Sequence, residues 1–360
     1  MIHGKWIRTI AIAATFGTLA MQGCHKKNGI DNNNVISTPY SLYAADSQGA
    51  LLNTNDGVRF RTVFQADGKP IKSILMSGTN LLFSKDSLYL STDDGNNFNF
   101  NRNSVTPAAC LQSLIIDVPS HNRIYLASTH TNGIEYSEDH GKTWKDDTQW
   151  QELDPPSPKT PGRAYSFAQL KSGDLFYISV ALSDDPTPVP INKLYKRTAV
   201  GNKWERVNIN GLPVRYYYLS RLNDLLLASD TTGDGGVYFS SDRGANWSAY
   251  TGLPVGVNLN CTYAPFDQTV LVGTNGAGVY RLQSGVFVPS NSGLRPDIHG
   301  ITKVWSIVAK SDTYKNTAVK NYVYAGTNTG LYRSEDGGQN WILVYPDKDA
   351  KIAEQFYRLY

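Results

Sequence analysis

Ser334-Glu335-Asp336-Gly337-Gly338-Gln339-Asn340-Trp341 is one of four clean copies of a single phrase, Ser-x-Asp-x-Gly-x-x-aromatic. The others are Ser91-Thr92-Asp93-Asp94-Gly95-Asn96-Asn97-Phe98, Ser137-Glu138-Asp139-His140-Gly141-Lys142-Thr143-Trp144 and Ser240-Ser241-Asp242-Arg243-Gly244-Ala245-Asn246-Trp247. A worn copy stands at Asn53-Thr54-Asn55-Asp56-Gly57-Val58-Arg59-Phe60. Ser, Asp and Gly so close together are turn chemistry: the carboxylate accepts from nearby backbone N–H groups, and Gly supplies a positive-φ step. Apolar alternation precedes each copy, as in Gly330-Leu331-Tyr332-Arg333, and resumes after it, as in Trp341-Ile342-Leu343-Val344-Tyr345. The pattern predicts a β-hairpin whose turn is the phrase and whose second strand opens on a buried aromatic.

Outward from each phrase lie two further strand-like runs. The clearest unit has Val304 to Val308, Tyr322 to Thr327, Gly330 to Arg333, the phrase, and Trp341 to Tyr345. Four strands in ~45 residues is the size of a propeller blade. The same plan is legible from Ile71, from Leu111 and from Arg215. Two units lack the phrase and keep the rhythm: Ala164 to Trp204, with Ala199 where Asp belongs, and Leu259 to Phe287. The first unit, Leu42 to Phe64, has no inner strand in front of it, while Ile352 to Tyr360 is a strand-like run left over at the far end. That run is expected to pair into the first unit, closing a ring and removing the exposed edges of an open array.

The phrase resembles the Asp-box, or BNR repeat, of sialidase-like β-propellers, in which the Asp and Ser brace the hairpin between a blade's third and fourth strands. The resemblance covers most of residues 40 to 345. It implies an all-β fold, a seven-bladed β-propeller of four-stranded antiparallel blades closed by the C-terminal strand. It also makes Asp93, Asp139, Asp242 and Asp336 structural residues.

The chain has 360 residues, 41% hydrophobic and 18% charged, with a net charge of +3, too small to argue for nucleic acid as a partner. Lys5 and Arg8 precede an apolar run from Ile10 to Met21 that ends at Gln22-Gly23-Cys24. This is the build of a secretory signal, and it is too short to span a bilayer. Cys24 after Gly23 resembles a lipoprotein lipobox, which implies cleavage after residue 23 and a lipid anchor on Cys24. His25-Lys26-Lys27 follows with no Asp, which by the same resemblance favours the outer membrane of a Gram-negative envelope. Residues 24 to 38, rich in Asn, read as a tether, and 39 to 360 as the ring. Cys110 and Cys261 fall in units almost opposite each other, so each is read as a small buried residue rather than half of a bridge.

In such a ring, the loops between units and the second-to-third turns gather at one end, where a concave mouth forms. Arg163 and Arg215 open inner strands there, Lys69 and Lys72 enter the second unit, and His299 and Lys303 enter the last. Arg102 and Arg295 fall in loops between units. The rim is thus cationic and expected to favour an anionic ligand. Trp150, in the Pro-rich loop from Lys145 to Gly162, could stack on a sugar or peptide. Asp230 and Asp234 have the spacing of calcium ligands but lack further oxygens, so no metal is expected. Nor does the chain carry a motif for a cofactor.

Sialidases hold a sugar carboxylate with three arginines and use a Tyr nucleophile with Glu and Asp partners. Arg163, Arg215 and Tyr217 could supply parts of that scheme. The Phe/Tyr-Arg-Ile-Pro motif is absent, and seven units replace the sialidase six. The ring also resembles the seven-bladed photosystem assembly-factor type, in which an arginine patch grips a protein. The expectation is therefore a lipid-anchored, monomeric, non-catalytic module binding a protein or glycan at the mouth. An exo-acting glycoside hydrolase of sialidase type is the alternative.

Overall fold

The computed structural model describes residues 42–346, apart from short stretches, and 356–359; the stretches left out are 56, 58, 78, 86, 94, 103–113, 119–121, 128–133, 148–162, 183–189, 200–202, 234–235 and 313–319. Cys24, Cys110, Trp150 and Asp234 lie outside the described residues, as does the leader read for 1–23. No helix among the described residues is long and apolar enough to cross a membrane.

The chain is built from antiparallel four-strand meanders. The first comprises β1 (Leu42–Asp46), β2 (Leu51–Thr54) and β3 (Arg61–Phe64). The second is β4 (Ser73–Ser77), β5 (Asn80–Ser84), β6 (Leu88–Ser91) and β7 (Asn99–Arg102). The third is β8 (Leu114–Val118), β9 (Arg123–Ala127), β10 (Ile134–Ser137) and β11 (Lys145–Asp146). The fourth holds β12 (Arg163–Gln169), β13 (Leu175–Leu182), β14 (Pro190–Arg197) and β15 (Trp204–Val207). The fifth holds β16 (Tyr217–Leu222), β17 (Leu225–Asp230), β18 (Val237–Ser240) and β19 (Ser248–Ala249). An eight-stranded sheet follows. Its front half is β20 (Leu259–Tyr263), β21 (Leu271–Gly276), β22 (Val279–Gln283) and β23 (Val286–Pro289). Its back half is β24 (Thr302–Asp312), β25 (Lys320–Thr327), β26 (Gly330–Ser334) and β27 (Ile342–Tyr345). The halves are joined through Asn275↔Lys303 and Gly276↔Thr302. The last strand, β28 (Phe356–Leu359), pairs with β1 through Ala44↔Leu359 and Ala45↔Arg358, as the leftover C-terminal run led us to expect.

Strand alternation gives each sheet two apolar faces, and successive sheets stack through them. Tyr43, Ala45 and Leu51 meet Ile74, Leu81 and Phe83 of the second sheet, whose other face sets Leu75, Leu82 and Leu90 against Ile124 and Leu126. Tyr125 and Ile134 pack on Phe167, Tyr177 and Trp204, and Phe176 and Leu194 pack on Leu219, Leu226 and Trp247. Leu227 and Val237 meet Val270 and Val272, and Leu271 and Val279 meet Val304, Val323 and Tyr332. Leu42, Ala44 and Leu52 finally pack against Tyr322, Tyr324 and Leu331, so the stack closes on itself.

The recurrent phrase forms the turn between third and fourth strands. Ser334 Oγ donates to Asp336 Oδ1 (2.7 Å) and accepts from Gly338 N (2.8 Å), while the carboxylate accepts from Asn340 N (2.9 Å) and Asn340 Nδ2 (2.7 Å). The same bonds recur around Asp93, Asp139 and Asp242. At Asp93 the Asn97 amide, and at Asp242 the Asn246 N–H, lead in holding the carboxyl down at about 2. At Asp139 and Asp336 burial works against ionisation, yet Thr143 and Asn340 outweigh it and the value is again about 2.

Each turn also grips the preceding sheet. A Cβ on Gly141 would stand 2.3 Å from Leu82 Cδ2, one on Gly244 2.3 Å from Leu194 Cδ2, and one on Gly338 2.7 Å from Leu271 Cδ1. The residue before that glycine reaches over as well. His140 Nδ1 meets Ser77 Oγ at 2.9 Å, and Arg243 Nε meets Asp174 Oδ2 at 3.0 Å. The sheets without the phrase solve the turn differently. β22 and β23 close on Ser284-Gly285, both at positive φ (49° and 84°), a two-residue hairpin. In the fourth sheet, Trp204 Nε1 donates to buried Asp147 Oδ2 (2.8 Å), which also pairs with Arg197 Nη1 (3.3 Å).

A second repeat, not anticipated from the sequence, clasps outer strands together. Gly211-Leu212, Gly252-Leu253 and Gly293-Leu294 follow the fourth strands, and parallel bridges tie Asn210 to Asn246, Thr251 to Val286 and Ser292 to Asn340. The glycines have φ of 81°, 94° and 86°, each pressed on the backbone of the aromatic residue that opens or lies in the next outer strand.

Candidate functional site

The meander sets the two ends of the ring apart. The turns bearing the phrase share one end with the first-to-second connections: Ser172 N donates to Asp224 Oδ1 (2.7 Å), and Arg243 reaches Asp174. The loops between sheets share the other end with the second-to-third turns. There Thr231 N donates to Tyr216 O (3.0 Å), Gly256 N to Gly233 O (2.9 Å) and Asn275 N to Asn258 O (2.9 Å). Asn328 locks the last of these loops, donating from Nδ2 to Asp297 Oδ2 (3.0 Å) and accepting at Oδ1 from Lys303 N (2.9 Å). The Ile301 N–H leads in holding the Asp297 carboxyl below the usual range, with the His299 N–H adding to it.

The cations expected at the mouth divide into groups. Arg295, His299 and Lys303 stand on one segment at the loop end, Arg295 and His299 exposed, and Lys303 half-buried with its ammonium 5.9 Å from the Trp305 ring. Arg163 opens β12 as expected. Arg215 does not open its strand: β16 begins at Tyr217, and Arg215 Nη1 is paired with Asp230 Oδ2 (3.2 Å), whose Oδ1 accepts from Thr232 N (2.7 Å). That carboxylate is thus committed to the protein rather than offered as a cation ligand. Arg102 ends β7, opposite Leu88, and does not sit in a loop between sheets. Lys72 precedes β4, donating its N–H to Ser84 O (2.8 Å), and Lys69 N donates to Asp67 Oδ1 (3.0 Å).

Tyr217 is a core residue. Its ring is 1% exposed, its hydroxyl donates to Pro213 O (2.9 Å), and burial pushes the phenol upward, with Tyr238 and Asp230 adding to the effect. A nucleophile needs an accessible, readily ionised oxygen, so this placement removes Tyr217 from a catalytic role. Among the described residues, no three His, Cys, Asp or Glu side chains gather as metal ligands.

What sequence reasoning missed at this end is apolar. Val255 (92% exposed) and Ile298 (96% exposed) stand almost fully in solvent; Ile301, three residues past Ile298, is exposed too, as are Val214 and Tyr216 in the loop before the fifth sheet. The signal lies in the loops themselves, where each Gly-Leu clasp is followed within a few residues by an aliphatic residue outside any strand pattern.

No family model matches the chain, and no curated protein matches it in sequence. Solved structures do. YCF48 bound to D1 peptide aligns over 84% of this chain and 92% of its own, at TM-score 0.50 and 14% identity. YCF48 from Cyanidioschyzon merolae aligns over 83% and 94%, at TM-score 0.53 and 15% identity. The chain is an all-β propeller. The extracellular domain of the putative hybrid two component system BT4673 from B. thetaiotaomicron gives TM-score 0.52 and 15% identity, over 79% of this propeller and 34% of that chain. At these identities the likeness is one of fold, and the loop end of this propeller must be read from its own residues.

Proposed function

We propose that this propeller has seven blades and is exported and held at the outer membrane by a lipid on Cys24. At the loop end of its ring it docks an anionic protein segment without performing chemistry on it. The observation that carries the docking reading is the exposure of two aliphatic side chains at this end, Val255 and Ile298, the second on a segment that also exposes Arg295 and His299. Solvent-exposed aliphatic groups beside positive charge suit an acidic segment bearing apolar anchors better than a sugar, whose hydroxyls ask for amides and carboxylates. One structural neighbour, YCF48, is bound to D1 peptide, which accords with this choice. Seven blades follow if the halves of the eight-stranded sheet are counted separately, since each is a complete meander with an apolar layer on both sides. The bonds around Asp93, Asp139, Asp242 and Asp336 support reading the phrase as an Asp-box brace.

Immobilised peptides test the docking. Acidic peptides carrying Leu, Ile or Phe are expected to bind the full chain at low salt and to be released at high salt. Ile298→Asp with Val255→Asp should abolish that binding while melting is unchanged. Undiminished binding by this variant would overturn the reading. Metabolic labelling with a fatty acid, lost in Cys24→Ala, tests the anchor.

A further inference from the structure

The turn end has a cleft of ≈ 570 Å³ between the front and back halves of the eight-stranded sheet, within the size range of small-molecule sites. Its origin is a missing side chain. In the third sheet His140, and in the fifth Arg243, fills the position before the turn glycine and reaches the first-to-second connection of the preceding sheet. In the last turn that position is Gly337, at φ 72°, and a Cβ there would meet nothing within 4 Å. The connection it would have reached, Pro265 to Thr269, therefore forms one wall of an open cleft, with the turn itself as the other. On that wall Phe266 holds φ 54°, a positive value that a non-glycine side chain adopts at a cost.

The lining offers both donors and acceptors. Arg281 lines the cleft with its Nε buried and, among the described residues, without a partner. Asn321 Oδ1 accepts from Ser311 Oγ (3.0 Å), so its NH₂ is the group left to donate. Gln339 Nε2 donates to Asp336 O (3.0 Å), leaving its amide oxygen to accept. Glu335 Oε1 accepts from Arg333 Nη2 (3.0 Å), leaving Oε2. The Arg333 guanidinium also lies 4.9 Å from the ring of Tyr322, another lining residue. Arg281 lines the cleft with Glu335 and Asp336, and Arg333, outside the lining, neutralises Glu335 by pairing with it, so no excess charge is left to select an ion. A hydroxyl both donates and accepts, and a pyranose ring has an apolar face that packs on an aromatic.

We propose that this cleft is a binding site for a neutral saccharide, separate from the loop-end docking surface and independent of it. Arg281 would donate to a sugar hydroxyl, Glu335 and Gln339 would accept from others, and Phe266 would carry the ring face. The probes are neutral oligosaccharides of the malto, cello, manno and galacto series, titrated into the full chain by calorimetry, with a uronate-containing oligosaccharide as a further arm. At least one neutral series should bind. Arg281→Met should weaken it about 10- to 100-fold, the loss of a hydrogen bond to a charged group. Gly337→Arg, which restores the side chain that the fifth sheet carries at φ 62°, should abolish binding with the fold intact. Ile298→Asp with Val255→Asp should leave it unchanged. Failure of every neutral probe, undiminished binding in Gly337→Arg, or tighter binding of the uronate would each overturn the proposal.

Discussion

Substituting alanine for Gly293 tests whether the Gly-Leu clasp holds the ring together. Two costs can be separated. The first is conformational: φ is 86° there, and an alanine in the left-handed region costs about 1 kcal/mol. The second is steric. A Cβ on Gly293 would lie 2.0 Å from Trp341 O and 3.0 Å from its carbonyl carbon, both backbone atoms of the residue that leads into β27. Neither can swing aside as a side chain would, and such overpacking costs about 1–3 kcal/mol. Gly285 provides the control, since its φ is 84° and a Cβ there meets nothing within 4 Å. Gly285→Ala should therefore cost about 1 kcal/mol, and Gly293→Ala about 2–4 kcal/mol, a large share of a typical domain's stability. Thermal melts followed by tryptophan fluorescence should show a fall of about 2–4 °C for the control and about 4–16 °C, two- to four-fold larger, for Gly293→Ala. Gly252→Ala, 2.2 Å from Phe287 O, should behave like Gly293→Ala. Equal shifts for Gly285→Ala and Gly293→Ala would refute the clasp, because conformational strain alone would then account for both.

Removing residues 352–360 takes away β28, the partner of β1, and should abolish the cooperative melt; a variant melting like the full chain would refute closure by that strand. Asp147→Ala strips the buried Arg197 guanidinium of its pair and the Trp204 indole of its acceptor, and urea titration should show a loss of about 3–5 kcal/mol. Asp93, Asp139, Asp242 and Asp336 titrate at about 2 when folded, against an ordinary value of 3.8. Their contribution is complete above pH ~4 and disappears as pH falls through ~2, because the unfolded chain takes up protons first. Melting temperature should therefore drop between those values, and Asp336→Asn should flatten the drop.

The strands were legible because period-two alternation and turn residues agree along most of the chain. Leu42 to Asp46, Asn80 to Ser84 and the Trp204 start of β15 stand where the pattern put them. Errors gathered where alternation carries little information. Outer strands are half-wet, so the end of the strand that begins after Phe98 is hard to read: Arg102 was placed in a loop although it pairs with Leu88 of β6, and Phe100 is 66% exposed. In Tyr216-Tyr217-Tyr218 three identical residues hide the alternation, and the middle one proved to be the buried one. The lost Asp of the fourth sheet was visible at Ala199, but the carboxylate that receives the Trp204 indole, Asp147, comes from the neighbouring sheet across a long separation in sequence. The candidate site suffers the same limit. Type and position of a charge can be read, but whether it is paired, as Arg215 is, depends on which residue the fold brings opposite.

The turn phrase looked like a uniform brace, yet the variable position inside it decides what the turn end can do. Where that position carries His140 or Arg243, the side chain crosses to the preceding sheet and seals the junction. At Gly337 it does not, and the short Ser284-Gly285 hairpin of the preceding meander adds no bulk of its own. The junction still holds, because Gly338 packs on Leu271 and Trp341 Nε1 donates to Ser290 O (2.9 Å). Bracing and sealing are thus separate duties in this propeller: the Ser, Asp and second Gly do the first, and the residue between Asp and Gly does the second. A repeat can therefore open a cleft at one junction without loosening the ring. It follows that Gly337→Arg should close the cleft while lowering stability by no more than about 1 kcal/mol, the backbone cost of a side chain at positive φ. His140→Gly should cost little stability while opening an equivalent gap beside Ser77 and Asn80. A steep loss of stability in His140→Gly would show that sealing and bracing are one duty after all.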